Sequence, residues 1–388
     1  CADDHQLALT NFQKMRDEGF LKALSETKKS WQKWLVPALR FSKKLDLKYQ
    51  KKFIQSLMLV KSHLAKTGAP IASNDSEMLN YARDDYSYCW PRDALFAIWP
   101  LIRLGYRDEP QRFFTFCKNS LTPGGFMMHK YLPNGELGPS WHPYSQGGET
   151  RNLPIQIDET AGILFLFAQY YKKFRDNSIL DEFYEDLVKP IADFLVDFCG
   201  ENNLPKPNYE LWEMDFLSTT YSTSVVFAAL YSASNLAQQL NRARDAKKWR
   251  DQALKIRTSA QNELFNPENN YFYRGIWPNG EKDSKIDASS FYGAFIFNLF
   301  DFKGEKLHRA FNVLEKRFNA DSQIGLPRFE NDVYYRFSDD YEANIWPITT
   351  LWRAEFYIAR GEILKAKEIL DWVSNQQTST GILPEQID

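Results

Sequence analysis

The stretch Thr160-Ala-Gly-Ile-Leu-Phe-Leu-Phe-Ala-Gln-Tyr-Tyr-Lys-Lys-Phe174 decides the fold of this chain, because its side chains are apolar or small almost all round. A surface helix carries apolar side chains on one face only, whereas a helix that is apolar on all faces is buried among other elements. Four further stretches share this character, and they begin near Ala94, Ser218, Ala288 and Ile345. The sequence therefore predicts five buried helices.

Amphipathic stretches with more Lys, Arg and Glu alternate with the buried ones. Their apolar residues recur with the helical period of about 3.6. They cover residues 50–64, 111–119, 180–198, 246–264, 306–318 and 363–375. Buried and amphipathic helices in alternation predict an inner and an outer ring, and strand-like alternation is scarce. We therefore expect an all-α fold, an (α/α)6 toroid.

The two ends of the chain depart from this alternation. Residues 1–47, in which Trp31 and Trp34 share a helical face, are expected to form a helical lead-in or linker remnant. Residues 48–388 are expected to form the toroid that carries the candidate site. The last outer stretch has no inner partner after it, so we expect the last inner helix to be missing and the sequence to be an excerpt of a longer chain.

Composition narrows the functional class. A formal net charge of −2 without a basic tract argues against nucleic acid as a partner. No run of 18 apolar residues is present, so no membrane partner is expected. The four cysteines form no CxxC pair and the five histidines show no tight ligand spacing, so neither a metal nor another cofactor is expected. Few cysteines and no visible signal peptide favour a cytoplasmic location.

The longest loops precede the buried helices and hold the unusual residues. Loops at one end of a toroid open at the same place, so their residues can converge although they are distant in sequence. The candidates are Tyr86, Trp90, Arg92, Asp93, Trp212, Glu213, Arg328 and Glu385.

Each candidate also has a plainer interpretation. Arg92 and Asp93 can form an ion pair at a helix start, and Glu213 and Glu385 can be solvated acids. Their occurrence at one rim favours a sugar site instead. Arg and Asp side chains bind vicinal hydroxyls, and two carboxylates are the minimum for hydrolysing a glycosidic bond. The aromatic content of 15% mildly supports a sugar-binding protein.

Five ordered motifs make the interpretation specific. They are Asp85-Tyr-Ser-Tyr-Cys-Trp-Pro-Arg-Asp93, Pro154-Ile-Gln-Ile-Asp-Glu159, Glu210-Leu-Trp-Glu213, Leu326-Pro-Arg-Phe329 and Leu383-Pro-Glu-Gln386. With these motifs the chain resembles the catalytic domain of glycoside hydrolase family 15, the group of glucoamylases, glucodextranases and related trehalases. The resemblance implies an inverting, exo-acting α-glucosidase of glucoamylase type, which releases β-glucose from the non-reducing end of α-linked oligo- or polysaccharides.

The resemblance also implies roles for the candidate residues. Glu213 is similar to the general acid and Glu385 to the general base that activates water. The residues expected to bind the sugar are Tyr86, Trp90, Arg92, Asp93, Trp212 and Arg328. Burial against Trp212 is expected to keep Glu213 protonated.

One residue departs from the family pattern. Met214 stands where glucoamylases often carry another acid that contacts the leaving-group sugar. The linkage of the expected α-glucan or α-glucoside substrate therefore stays open, and so does the oligomeric state. An α,α-trehalase, a glucodextranase and a toroid that binds glucan without turnover remain alternatives.

Overall fold

The computed structural model describes residues 5–73, 86–142, 153–318 and 324–387. The backbone divides into two compact units, Cys1–Leu59 and Val60–Asp388. Asp85 of the first motif and residues 1–4 of the expected lead-in lie outside the described residues.

The first unit is helical. Its helices are α1 (His5–Glu18), α2 (Phe20–Trp34), α3 (Val36–Ser42) and most of α4 (Leu47–Ser62). Gly19 separates α1 from α2 with a φ of 81°, a left-handed conformation that glycine adopts without steric cost. The rings of Trp31 and Trp34 meet edge to face with centroids 5.9 Å apart.

The second unit continues with alternating helices. In chain order they are α5 (Pro91–Leu104), α6 (Asp108–Ser120), α7 (Ile157–Phe174), α8 (Asn177–Phe183), α9 (Lys189–Asp197), α10 (Thr220–Gln239), α11 (Ala243–Glu263), α12 (Ala288–Ile296), α13 (Glu305–Arg317), α14 (Pro347–Ala359) and α15 (Ile363–Asn375). The inner helices α5, α7, α10, α12 and α14 bury much of their surface, and each packs against the next inner helix. The predicted all-α fold class is confirmed.

Aromatic rings join the first and last of these inner helices. The Phe96 ring of α5 lies 6.4 Å from Tyr292 of α12 and 6.1 Å from Trp352 of α14. Tyr292 and Trp352 stack with centroids 4.3 Å apart and an interplanar angle of 6°. Much of the high aromatic content therefore serves the toroid core.

Several helices differ from their predicted bounds, and two of the differences have clear local reasons. The stretch predicted as one helix over 180–198 contains a π-helical turn, Tyr184–Val188, between α8 and α9. Helix α10 begins at Thr220 because Thr219 is extended and its hydroxyl accepts the N–H of Ser222 at 3.0 Å, which caps the helix.

Short antiparallel strands lie in the loops. A four-stranded sheet has the order β1 (Asn208–Tyr209), β2 (Phe216–Thr219), β5 (Gly275–Ile276) and β6 (Lys282–Asp283), and β3 (Phe265–Asn266) pairs with β4 (Tyr271–Phe272). The hairpin of β1 and β2 has residues 210–215 at its tip. This sheet therefore presents the loop that carries Glu213.

Replacement of Gly275 by Ala should destabilise the protein. An added Cβ at Gly275 would lie 2.6 Å from the backbone oxygen of Ser218, a contact that requires the paired strands to shift. The expected cost is about 1–3 kcal/mol, seen as a lower Tm in thermal unfolding. Gly162→Ala is the matched control, because its Cβ would meet Leu95 at an ordinary 3.5 Å. Equal Tm values for the two variants would contradict this account of the sheet.

Candidate active site

A tight loop between β1 and β2 presents Glu213. The buried Glu210 carboxylate organises this loop by accepting the backbone N–H groups of Trp212 at 2.7 Å, Met214 at 3.0 Å and Asp215 at 3.4 Å. The turn places Glu213 at a φ of 63°, in the left-handed region that residues with a Cβ rarely adopt. Such strain persists where the surroundings determine the conformation, and it clusters at functional sites.

The Glu213 carboxylate is held by donors from three other segments. Its Oε1 accepts from Trp90 Nε1 at 2.9 Å, an Arg92 guanidinium nitrogen at 3.2 Å, His129 Nε2 at 3.0 Å and Gln156 Nε2 at 3.1 Å. Among the described residues, no hydrogen bond reaches Oε2. One carboxylate oxygen is therefore fixed by the protein and the other is left for a ligand.

The surroundings of Glu213 favour its ionised form. Burial alone raises its pKa, but the hydrogen bond from His129 and the charge of Arg92 outweigh burial and hold the pKa of Glu213 well below its ordinary value. The expectation that burial against Trp212 keeps Glu213 protonated is wrong for this arrangement. The indole N–H of Trp212 donates instead to Asp287 at 3.3 Å.

The first turn of α5 carries Arg92 and Asp93. Arg92 donates to Gln156 and to Glu213, and its Nε lies 3.4 Å from Asp93 Oδ1. The Arg92 side chain is 11% exposed, whereas the Asp93 side chain is 45% exposed. Arg92 and Asp93 thus do form the plain ion pair, but the Asp93 carboxylate also stays open to a ligand.

Arg328 lies buried among aromatic rings. Its Nε and one terminal nitrogen donate to the two carboxylate oxygens of Asp332 at 2.7 and 2.8 Å. Its guanidinium carbon lies 4.5 Å from the ring centroid of Trp346 and 5.4 Å from that of Trp212. A terminal nitrogen also lies 3.4 Å from the sulfur of Met214. These contacts place Arg328 beside the loop of Glu213.

Glu385 sits on a segment that is tied to the start of α14. Ile345 and Ile387 exchange both backbone hydrogen bonds at 2.8 Å, and Asn344 Nδ2 donates to Gln386 Oε1 at 2.8 Å. The Glu385 side chain remains exposed to solvent. The position of this carboxylate is therefore set by backbone pairing on one side and left open on the other.

The surroundings shift the Glu385 carboxyl toward its neutral form. Although Glu385 is exposed as a residue, the protein around its carboxyl desolvates it. This desolvation, with the negative charge of Asp93 added, raises the pKa of Glu385 to about 7, and the charge of Arg328 opposes the rise. Glu213 and Arg92 also act on Glu385 electrostatically. The two glutamates thus share one electrostatic environment.

Tyr86 and Trp90 complete the set of candidates. Burial, with the charge of Glu385 added, raises the pKa of Tyr86, which also shares a hydrogen bond with Tyr334. The Tyr86 and Trp90 rings meet edge to face with centroids 5.7 Å apart. The eight candidate residues, which the sequence places in loops before the inner helices, therefore lie in one region of the second unit, although Arg92 and Asp93 belong to the first turn of α5.

Three residues of this region were not among the candidates. Glu210 and Gln156 stand inside quoted motifs, and His129 stands in the long loop before α7. The rule that singled out polar residues in such loops could have included His129. Nothing in the local sequence indicates that its ring reaches Glu213, because that contact spans 84 positions.

The described residues contain no group of three or more His, Cys, Asp or Glu side chains that could hold a metal ion. Within the same residues, every helix is too short or too polar to span a lipid bilayer.

Two curated relatives align with most of this chain at about a quarter sequence identity or slightly less. An uncharacterized glycosyl hydrolase of Methanocaldococcus jannaschii is 25% identical over 320 residues, which cover 78% of this chain and 47% of the relative. Trehalase 2 of Sulfolobus acidocaldarius is 23% identical over 364 residues, which cover 88% of this chain and 59% of the relative. The chain spans about half the length of these relatives.

Solved structures share the fold. A wild-type glycosidase superposes with a TM-score of 0.69 at 18% identity over 88% of each chain. A bacterial glucoamylase complexed with acarbose superposes with a TM-score of 0.69 at 20% identity over 87% of this chain and 51% of that one. These similarities support the (α/α)6 toroid. The sequence profile of "Glycosyl hydrolases family 15" matches residues 48–374, so this chain belongs to that family.

Proposed function

We propose that the chain is an inverting, exo-acting α-glucosidase of glucoamylase type, which releases β-glucose from the non-reducing end of α-linked oligo- or polysaccharides. One observation carries this proposal. Arg92 contacts both Glu213 and Asp93, and the charges of Asp93, Arg328 and Glu213 all act on Glu385. One carboxylate is fixed by hydrogen bonds at a single oxygen, and the other is open to solvent. The two glutamates are thus suited to different roles.

In an inverting reaction one carboxyl protonates the leaving-group oxygen while the other removes a proton from the attacking water. The two carboxyls then stand roughly 6.5–9.5 Å apart, which leaves room for the water. We assign the acid to Glu213 and the base to Glu385. Because Oε1 of Glu213 is occupied by donors, the proton that is delivered must reside on Oε2.

The ligand-free pKa shifts require one further step. The lowered pKa of Glu213 favours its ionised form, so Glu213 must take up a proton before it can act as the acid. A bound sugar that excludes water from Oε2 favours this uptake, because desolvation disfavours the charged carboxylate. Asp93 and Arg328 would then bind the hydroxyls of the terminal sugar, since carboxylate and guanidinium groups form strong hydrogen bonds with them.

A trehalase is the second candidate. The relatives from Sulfolobus acidocaldarius and Thermoplasma volcanium carry the name trehalase. Met214, which follows the proposed acid, is 46% exposed and offers a thioether to the leaving-group sugar. A site without a further acid at that position supports a preference other than the maltose type.

Glucose release from maltotriose, trehalose and isomaltose tests the proposal and its alternatives. The wild-type protein should release glucose from at least one of them, and the fastest substrate identifies the linkage. The highest rate on trehalose would select the trehalase, and the highest rate on isomaltose the glucodextranase. No release from any of the three or from α-glucosyl fluoride would overturn the proposal and favour a toroid that only binds glucan.

Protonation of the base should make kcat/KM decrease as the pH falls below about 7. Glu385 must be ionised to accept a proton from water, and its pKa is raised to about 7. As pH falls through this value Glu385 is protonated, so kcat/KM should decrease about tenfold per pH unit below it. α-Glucosyl fluoride is the substrate to use, because fluoride leaves without help from an acid. A limb at pH 5 or below would contradict the raised pKa.

A further inference from the structure

His129 is buried and both of its ring nitrogens are engaged. Its Nε2 lies 3.0 Å from Glu213 Oε1, and its Nδ1 lies 3.2 Å from the Ser140 hydroxyl. Three other donors also point at Oε1, so this oxygen accepts and the hydrogen between the two residues belongs to Nε2. The Ser140 hydroxyl pairs with Nδ1 on the other side of the ring. The result is a hydrogen-bonded chain that links Ser140, His129 and Glu213.

Stacked rings fix the plane of the His129 imidazole. The ring of His142 lies 4.2 Å from it, and His142 in turn stacks on Tyr209 at 3.9 Å with an interplanar angle of 3°. Burial, with the charge of His129 added, lowers the pKa of His142 to about 3, and its Nε2 lies 2.9 Å from Gln156 Nε2. His142 is thus a neutral acceptor at working pH, and the stack leaves His129 little freedom to turn.

We propose that His129 is a positioning residue, which fixes Oε1 of Glu213 through its Nε2–H and so directs the proton of the general acid to Oε2. This inference rests on the proposed function, because it concerns only the acid half of that reaction. In each cycle Oε2 gives its proton to the leaving-group oxygen and regains one from solvent. His129 keeps its Nε2 hydrogen throughout.

The other donors to Oε1 cannot replace this role. Gln156 also forms a hydrogen bond with His142, and Arg92 also donates to Asp93 and Gln156. The indole N–H of Trp90 donates to Glu213 at 2.9 Å, and its nitrogen lies 3.1 Å from His129 Nε2, which is itself a donor in this arrangement. Trp90 is also packed among rings, but His129 alone among the four combines a parallel ring stack with a hydroxyl on its second nitrogen. The orientation of the carboxylate therefore depends most on His129.

The test compares two substrates that differ in their need for an acid. In His129→Leu, kcat for the best glucoside of the substrate panel should fall on the order of 10- to 100-fold, the effect of one hydrogen bond to a charged group. The kcat for α-glucosyl fluoride should stay within about threefold, because that leaving group needs no proton. His129→Gln should restore most of the glucoside rate, since its amide N–H can donate to Oε1.

Ser140→Ala is the second variant, and it should give a smaller loss in the same direction. It removes the hydroxyl that pairs with Nδ1 and that accepts the backbone N–H of His142 at 3.2 Å, and it keeps the imidazole itself. Equal losses on both substrates in His129→Leu, or no loss on either, would overturn the inference and leave the proposed function intact. Wild-type protein that hydrolyses neither the fluoride nor any glucoside would overturn both.

Discussion

Glu213→Gln should lower kcat for the best glucoside by about 10²- to 10⁴-fold, the usual contribution of a general acid. The amide oxygen can take the place of Oε1 among its donors, so the site should keep its geometry while it loses the proton. Hydrolysis of α-glucosyl fluoride should stay within about tenfold of wild type, because fluoride is a good leaving group. Steady-state kinetics on the two substrates measures the difference.

Glu201→Gln controls for the substitution itself. Glu201 is exposed, at a turn after α9, and no change on either substrate is expected there. If kcat of Glu213→Gln falls by the same factor on α-glucosyl fluoride as on the glucoside, Glu213 does not act as the acid.

Glu385→Gln should lower kcat on both substrates by about 10²- to 10⁴-fold. Water must be deprotonated whatever the leaving group, so a good leaving group cannot compensate for a missing base. The amide has nearly the size of the carboxyl, and the backbone pairing of Ile345 with Ile387 should hold the segment in place. A circular dichroism melt that matches the wild-type Tm would show that the loss is chemical.

Together the two variants assign the roles. If Glu385→Gln keeps its kcat on α-glucosyl fluoride, and if Glu213→Gln has a lowered kcat on both substrates, Glu385 is the acid and Glu213 is the base. The ligand-free pKa directions alone would favour that exchange, because Glu385 is raised to about 7 and Glu213 is lowered. We favour the original assignment because the Glu385 carboxylate is open to solvent, as a base that activates water must be.

Much of the fold could be predicted because helical periodicity is a local property. The inner stretches are apolar all round, and this alone distinguished them from the outer ones. Helix α14 shows where local reasoning fell short. The sequence predicts that it begins at Ile345, but it begins at Pro347, because a proline disfavours helical backbone at the residue before it. Ile345 pairs instead with Ile387 near the chain end, which no local pattern shows.

The two-residue strands were invisible for a related reason. Alternation needs about four residues to be recognised, and most ladders here are shorter. The sequence consequently predicts a plain loop where the hairpin presents Glu213, and it does not indicate the role of Glu210 inside that hairpin.

The candidate site divides in the same way. Residues in compact motifs, such as Arg92 and Glu213, could be named from the sequence. The protonation state of Glu213 could not be predicted from the sequence, because it depends on His129 and Gln156, which contact Glu213 from other segments. Burial alone would raise the pKa of Glu213. Hydrogen-bond donors that are 84 and 57 positions away in the sequence lower it instead.

The anomer of glucose first released from α-glucosyl fluoride tests the central claim most directly. This substrate has no linkage to match, so the result does not depend on whether the enzyme prefers a maltose-type or a trehalose-type glucoside. In ¹H NMR spectra recorded before mutarotation, the β-anomer should appear first and the α-anomer later. Appearance of the α-anomer first would contradict an inverting reaction between Glu213 and Glu385.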